Sequence, residues 1–100
     1  MIGIAGYIRV PASARGPLQP HIATYVPSCR QEPGCDVFEL SYDALDYAIL
    51  RVFEVWKDEE SLQTHVASPH EQSWRRACIQ LGAGEHALTR YDIVTLKPIG

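Results

Sequence analysis

The chain changes its hydrophobic period several times, and each change marks an element. From Ile2 to Val10, the residues Ile2, Ile4, Ile8 and Val10 alternate with Gly3, Ala5, Tyr7 and Arg9, which predicts a strand. Pro11 to Pro17 is turn-rich. From Leu18 the spacing becomes helical: Leu18, Ile22, Tyr25, Val26 and Cys29 form one stripe, with His21 at its edge. Pro20 is expected in the first turn, where it is harmless. Pro27 falls inside the helix and removes a hydrogen bond at a cost of ~3 kcal/mol, so a kink is expected there with the stripe intact. Glu32-Pro33-Gly34 ends the helix. Alternation returns over Cys35 to Tyr42, with Asp36, Phe38, Leu40 and Tyr42 opposed to Cys35, Val37, Glu39 and Ser41. Asp43 to Asp46 reads as the turn of a hairpin.

The next run, Tyr47 to Trp56, is rich in aliphatic, β-branched and aromatic residues and holds no Gly or Pro. Ala48, Leu50, Val52, Glu54 and Trp56 share one face; Ile49, Arg51, Phe53 and Val55 share the other. Both faces are largely apolar, so both are expected to be covered. Asp58 is a good N-cap, with Glu59 and Glu60 where a helix dipole favours negative charge. A helix over about Glu59 to Ala67 places Leu62, His65 and Val66 together. Ser68-Pro69-His70-Glu71 then reads as a Ser-x-x-Glu capping box with Pro at the first helical position. The helix it opens runs to about Leu81, with Trp74, Ala77, Cys78 and Leu81 on one side and His70 a turn earlier. Gly82 and Gly84 end it. Leu88 to Leu96 predicts a last strand, stopped by Lys97-Pro98.

The resulting order, β-α-β-β-α-α-β, points to one domain over residues 1–100. The fold class expected is α+β: a ferredoxin-like, four-stranded antiparallel sheet with helices on one face. The bare face would expose Ile49, Phe53 and Val55, a large patch for so small a protein, and a second copy covering it is the natural remedy. A homodimer is therefore expected. The chain is 46% hydrophobic and 21% charged, which suits an ordinary folded domain. A net charge of −3 offers no general attraction to nucleic acid or anionic membranes. The apolar runs are far short of the ~20 residues that span a bilayer. The start, Met1-Ile-Gly-Ile-Ala-Gly-Tyr-Ile, lacks the basic region of a signal peptide. Cys29, Cys35 and Cys78 form no CxxC motif, and reduced thiols in a cytoplasmic protein are expected.

Taken in order, Glu32-Pro33-Gly34-Cys35, Glu54-Val55-Trp56, the Asp58-Glu59 helix start and His65-Val66-Ala67-Ser68-Pro69-His70 give a composite pattern. It resembles the antibiotic-biosynthesis-monooxygenase (quinol-monooxygenase-like) family of small dimeric α+β proteins. The resemblance implies a dimeric α/β barrel, two sheets facing across a twofold axis with helices outside. It also implies a pocket for a flat aromatic or quinonoid molecule between helices and sheet, and oxygenation of phenols, anthrones or quinols by O2 with no cofactor.

Combining the resemblance with the face assignments, Trp56, His70, Trp74 and Tyr25 are the expected substrate-binding residues and His65 the catalytic one. His65 sits on the apolar side of its helix, and an imidazole with the ordinary value near 6.5 suits acid–base work. Plain core packing would account equally for Trp56 and Trp74. His70, at the second position of its helix, could simply bond nearby backbone. Three positions depart from specialised branches of the family. Val52 stands where anthrone oxygenases carry an Asn, and Leu62 where they carry a relay Tyr. Trp74, Arg75 and Arg76 occupy the region where haem-degrading relatives place an iron-binding His. No metal site is expected, because His65 and His70 lie across a helix junction and no Cys or carboxylate completes a familiar ligand spacing. Cys78 falls on a buried stripe and reads as packing. Arg75 and Arg76 read as a solvated basic pair. Two other readings use the same pocket: a non-catalytic dimeric binding module for a small aromatic ligand, and an isomerase of a small carbonyl metabolite.

Overall fold

The computed structural model describes all residues, 1–100. Four strands, β1 (Ile2–Arg9), β2 (Cys35–Tyr42), β3 (Ile49–Trp56) and β4 (His86–Asp92), form one antiparallel sheet in the order β2-β3-β1-β4. Three helices, α1 (Arg15–Arg30), α2 (Glu59–Val66) and α3 (Pro69–Gln80), join them. This is the ferredoxin-like α+β arrangement expected from the element order. No helix is long and apolar enough to cross a membrane.

The strands that read as most apolar occupy the two central places. In β3, Leu50, Val52, Glu54 and Trp56 are all buried against the helices, and Ile2 and Ile8 of β1 lie beside Trp56 and Leu50 on the same face. The stripe of α1 meets them: Leu18, Tyr25, Val26 and Cys29 are buried, and α1 packs on α3 and β2. Close pairing of β1 with β4 depends on Gly6. A Cβ there would lie 1.9 Å from the carbonyl oxygen of Ala87, a collision with backbone that no rotamer relieves.

Several boundaries differ from those the pattern predicts. A 3-10 turn over Ala12–Ala14 leads directly into α1, so the helix starts at Arg15 rather than Leu18. Pro20 therefore lies inside it, as Pro27 does, and the helix continues through both to Arg30. Both prolines are exposed, so the hydrogen bonds they remove are lost on the solvent side, where water can serve the freed carbonyls. In β2 a bulge between Cys35 and Val37 shifts the phase: Cys35 joins Phe38, Leu40 and Tyr42 against the core, and Asp36 is left exposed.

β4 stops at Asp92 instead of Leu96. Its partner β1 begins at Ile2, so beyond the bond from Ile93 N–H to the Met1 carbonyl there is no strand left to pair with. On the bare face of the sheet, Phe53 is exposed as expected, but Ile49 and Val55 are 6% and 1% exposed. Gly82 closes α3 with φ +89°: its N–H bonds Ile79 O and the N–H of Ala83 bonds Cys78 O, a Schellman motif.

Candidate active site

At the junction of α2 and α3, Ser68 Oγ accepts from the N–H of Glu71 (3.2 Å) and donates to the His65 carbonyl (2.7 Å). A cap of this kind is worth ~1 kcal/mol. The Ser68 N–H is itself taken by the His65 carbonyl, so Glu71 does not reach back to it as a capping box would require. The Glu71 side chain is free to turn inward, and it becomes the hub of a buried network.

Glu71 is 8% exposed. One of its oxygens accepts the phenolic O–H of Tyr25 and faces Nε2 of His65 at 3.3 Å. The other accepts Nε of Arg75 at 3.0 Å, so Arg75 is paired and only Arg76 of the two is free of a carboxylate. His65, only 3% exposed, directs Nδ1 at Glu32 Oε2 (2.7 Å), and its Nε2 also lies 3.8 Å from Glu54 Oε1. His70 reaches the same Glu32 oxygen through Nε2 at 2.9 Å, not backbone. Glu54 accepts the indole N–H of Trp56 at 2.9 Å.

Local chain geometry explains why these groups meet. Glu32 stands just past the end of α1, and Gly34 lets its loop lie directly on the start of α2. A Cβ on Gly34 would be 1.9 Å from Ser61 Oγ and 2.2 Å from Ser61 Cβ. The Gly34 carbonyl also accepts the N–H of Lys57 at 2.9 Å, which ties the loop to the end of β3.

Electrostatics follow from this packing. Burial alone would lower the pKa of His65. Hydrogen bonds to Glu71 and Glu32 and the charges of Glu71 and Glu54 outweigh it, and the net shift is upward. With carboxylates facing both ring nitrogens, the imidazolium is the form that satisfies both. Burial pushes Glu71 up, but the His65 and Tyr25 hydrogen bonds, the His65 charge and Arg75 bring it below the usual carboxylate range. Glu54 goes the other way. Burial raises it, and neither the Trp56 hydrogen bond nor His65 fully offsets this. Tyr25 is pushed far up by burial and by Glu71, so it remains a neutral donor.

A cleft of about 510 Å³ opens between α3 and the β1–β4 side of the sheet. Ile8, His86 and Leu88 line it from the strands, and Glu71, Trp74, Arg75 and Cys78 from α3. Of the residues expected at a site, Trp74 lines the cleft, with its indole stacked on Tyr25 at 4.8 Å and 5°. Tyr25, His65 and His70 converge behind it, all within 6.4 Å of one another by ring centroid. Trp56 stacks under His65 at 4.5 Å with no exposed surface, so it supports the imidazole and does not reach the cleft. Glu71, Glu32, Glu54 and Arg75 are additional members. Glu54 left a trace in the sequence, as the one charge on an otherwise apolar strand face.

Cys78 faces the cleft, but burial and then the Glu71 charge push its thiol up to about 12. At pH 8 its alkylation by iodoacetamide is expected to be roughly a thousandfold slower than in the unfolded chain, because so little is thiolate. Mass-resolved labelling with and without urea measures this; equal rates would mean that folding leaves the thiol unperturbed and accessible.

The family model for antibiotic biosynthesis monooxygenases matches residues 1–77, which span every group of the network. The chain belongs to the antibiotic biosynthesis monooxygenase family. Its fold is shared with a Deinococcus radiodurans protein named for this family, at 22% identity and a TM-score of 0.89, covering 100% of this chain and 99% of that one. A Nitrosomonas europaea protein named likewise is 18% identical with a TM-score of 0.86, over 95% of this chain and 100% of its own. A Mycobacterium tuberculosis protein is 23% identical with a TM-score of 0.84, over 97% and 98%. No curated protein is significantly similar to this family member in sequence.

Proposed function

We propose that the protein is a cofactor-independent monooxygenase acting with O2 on a small quinol, anthrone or polyphenol. Family membership supports the reaction class, and one observation carries the assignment of the site: an ionised, buried Glu71 forms part of the cleft wall beside Trp74. A carboxylate has about four acceptor positions. Tyr25, His65 and Arg75 take three of them, which leaves one for a ligand in the cleft. Glu71 already accepts a hydrogen bond from a phenol, that of Tyr25, so the recognition chemistry is present within the chain.

In this reading the substrate stacks against Trp74 and its phenolic O–H donates to Glu71. That charge-assisted hydrogen bond draws the proton partly off the oxygen and enriches the ring in electrons for reaction with O2. One oxygen atom enters the substrate and the other leaves as water, with all four electrons drawn from the substrate. His65 acts through Glu71 as a positioning residue, held by Glu32 on its far side and by Trp56 beneath. The test is oxygen uptake by the purified protein with a panel of hydroquinones and anthrones, beside Glu71→Gln and Trp74→Ala. Uptake above the autoxidation blank, lost in variants that still fold, supports the assignment. Tight binding with no uptake would replace it with a binding module, and anaerobic rearrangement of a carbonyl substrate with an isomerase.

We also propose that two copies pair through the bare sheet face, which supports the dimeric-barrel reading. Phe53 and Tyr91 on that face are 45% and 54% exposed, with Val37 and Ala5 beside them. Light scattering is expected to give twice the 11.2 kDa chain mass, and Phe53→Lys to shift it toward one. A dilute, folded wild-type monomer would refute the pairing.

A further inference from the structure

The fold brings four metal-binding side chains to one point that the sequence keeps far apart. Cys29 Sγ, a carboxylate oxygen of Glu32 and one ring nitrogen each of His65 and His70 all lie within 4.8 Å of one another. We propose that these residues form a closed site for one divalent transition-metal ion of the zinc class.

The arrangement fits in donor type, orientation and charge. One thiolate, one carboxylate and two imidazoles form a set suited to tetrahedral zinc. With bond lengths of ~2.0–2.3 Å, tetrahedral ligands sit roughly 3.3–3.8 Å apart, so rotations that bring the outermost donors about an ångström closer complete the site. Both histidines already point a ring nitrogen at the same Glu32 oxygen, at 2.7 and 2.9 Å, and the ion would replace those two hydrogen bonds. A hydrogen-bonded His–Glu–His cluster by itself gives no part to the Cys29 thiol, which is wholly buried beside it.

The second observation lies behind His65. Its other nitrogen, Nε2, faces Glu71 at 3.3 Å, so the carboxylate that orients a metal-bound histidine and fixes its tautomer is already in place. A dication with one thiolate and one carboxylate is electrically neutral, which suits a site whose members are buried or half-buried. Binding expels the Cys29 thiol proton and turns the lone pairs of His65 Nδ1 and His70 Nε2, the nitrogens that face Glu32, to the ion, while His65 keeps its Nε2–H for Glu71. Four protein ligands leave no position open to substrate, so the ion's role is structural. It would pin the end of α1 to the α2–α3 junction and hold Glu71 against the cleft. A redox-inert ion leaves the oxygen chemistry of the cleft unchanged in kind.

The experiment is titration of reduced, metal-free full-length protein with Co2+, followed by displacement with Zn2+. One Co2+ per chain should bind with the visible bands of a tetrahedral site and a thiolate-to-cobalt charge-transfer band in the near ultraviolet, and Zn2+ should raise the melting temperature. Cys29→Ser should lose the charge-transfer band. Because Cys29 is in the core, His70→Ala, at a half-exposed position, is the safer variant. It should weaken binding by more than the roughly 10- to 100-fold that loss of an outer-shell partner costs, and Glu71→Gln should fall within that range. No cobalt spectrum and no shift in melting temperature would overturn the proposal, as would binding that His70→Ala leaves unchanged. These readouts are independent of oxygen uptake, so the metal site and the oxygenase assignment can fail separately.

Discussion

Trp56→Ala is expected to destabilise the protein by ~3–5 kcal/mol, the usual cost of deleting a large aromatic side chain from a packed core. Trp56 has no exposed surface and packs against His65 at 4.5 Å and Phe38 at 6.3 Å, ring centroid to centroid. Its loss would open a cavity beneath the imidazole and remove the indole N–H that Glu54 accepts at 2.9 Å. Glu54 is only 7% exposed, and a buried acceptor deprived of its donor costs about a further 1–3 kcal/mol unless it takes a proton. Domains of this size are commonly stable by about 5–15 kcal/mol, so the variant should be close to unfolding. Urea denaturation monitored by circular dichroism measures the loss. Trp56→Phe separates the two contributions, since it keeps most of the packing and removes only the donor. A loss below about 1 kcal/mol for Trp56→Ala would mean that the indole is not the keystone of this core. The practical consequence is that an inactive Trp56→Ala says little about substrate binding, although the aromatic pattern makes Trp56 an obvious residue to change.

Glu71→Gln is expected to lower kcat/KM for a phenolic substrate by about 10²–10⁴-fold, the range over which a positioned acid or base contributes. The substitution preserves shape and removes the charge that holds Tyr25, His65 and Arg75 around one carboxylate. It also introduces an amide NH2 where the carboxylate only accepted, so Tyr25, His65 or Arg75 must reorient and some stability will be lost. A melting curve belongs beside the kinetics for that reason. A folded Glu71→Gln with wild-type turnover would remove Glu71 from the reaction and leave the cleft as a binding surface. Trp74→Ala, by contrast, should act mainly through KM, because stacking holds the substrate before and during reaction alike.

Much of the fold was legible along the chain, and the reason is local. A strand or helix that buries one face writes its own period, so Leu18 to Cys29, Leu50 to Trp56 and Trp74 to Cys78 could each be placed without knowing what covers them. The caps at Asp58 and Ser68 and the Gly82 terminus were equally readable, since each acts within a few residues. Element ends were harder to read. The length of β4 depends on where β1 begins, and the phase of β2 depends on a bulge that pairing with β3 imposes.

The site divides along the same line. Tyr25, Trp56, His65, His70 and Trp74 could be selected as a group because the apolar faces of their elements and the resemblance to the family pointed to them together. What each does was decided in three dimensions. Glu71 carries the signature of a helix cap, and only the turn that gives the Ser68 N–H to the His65 carbonyl frees it to face the cleft. Arg75 reads as solvated until that buried carboxylate appears beside it. Cys29 and Glu32 precede His65 by more than thirty residues, and no spacing rule joins the end of one helix to the junction of two others. The sequence by itself determined which elements form and which faces they bury, because those are properties of local periodicity. Packing alone decided which ionisable groups share a desolvated space, and so which of them lines the cleft, which lie behind it and which could hold a metal.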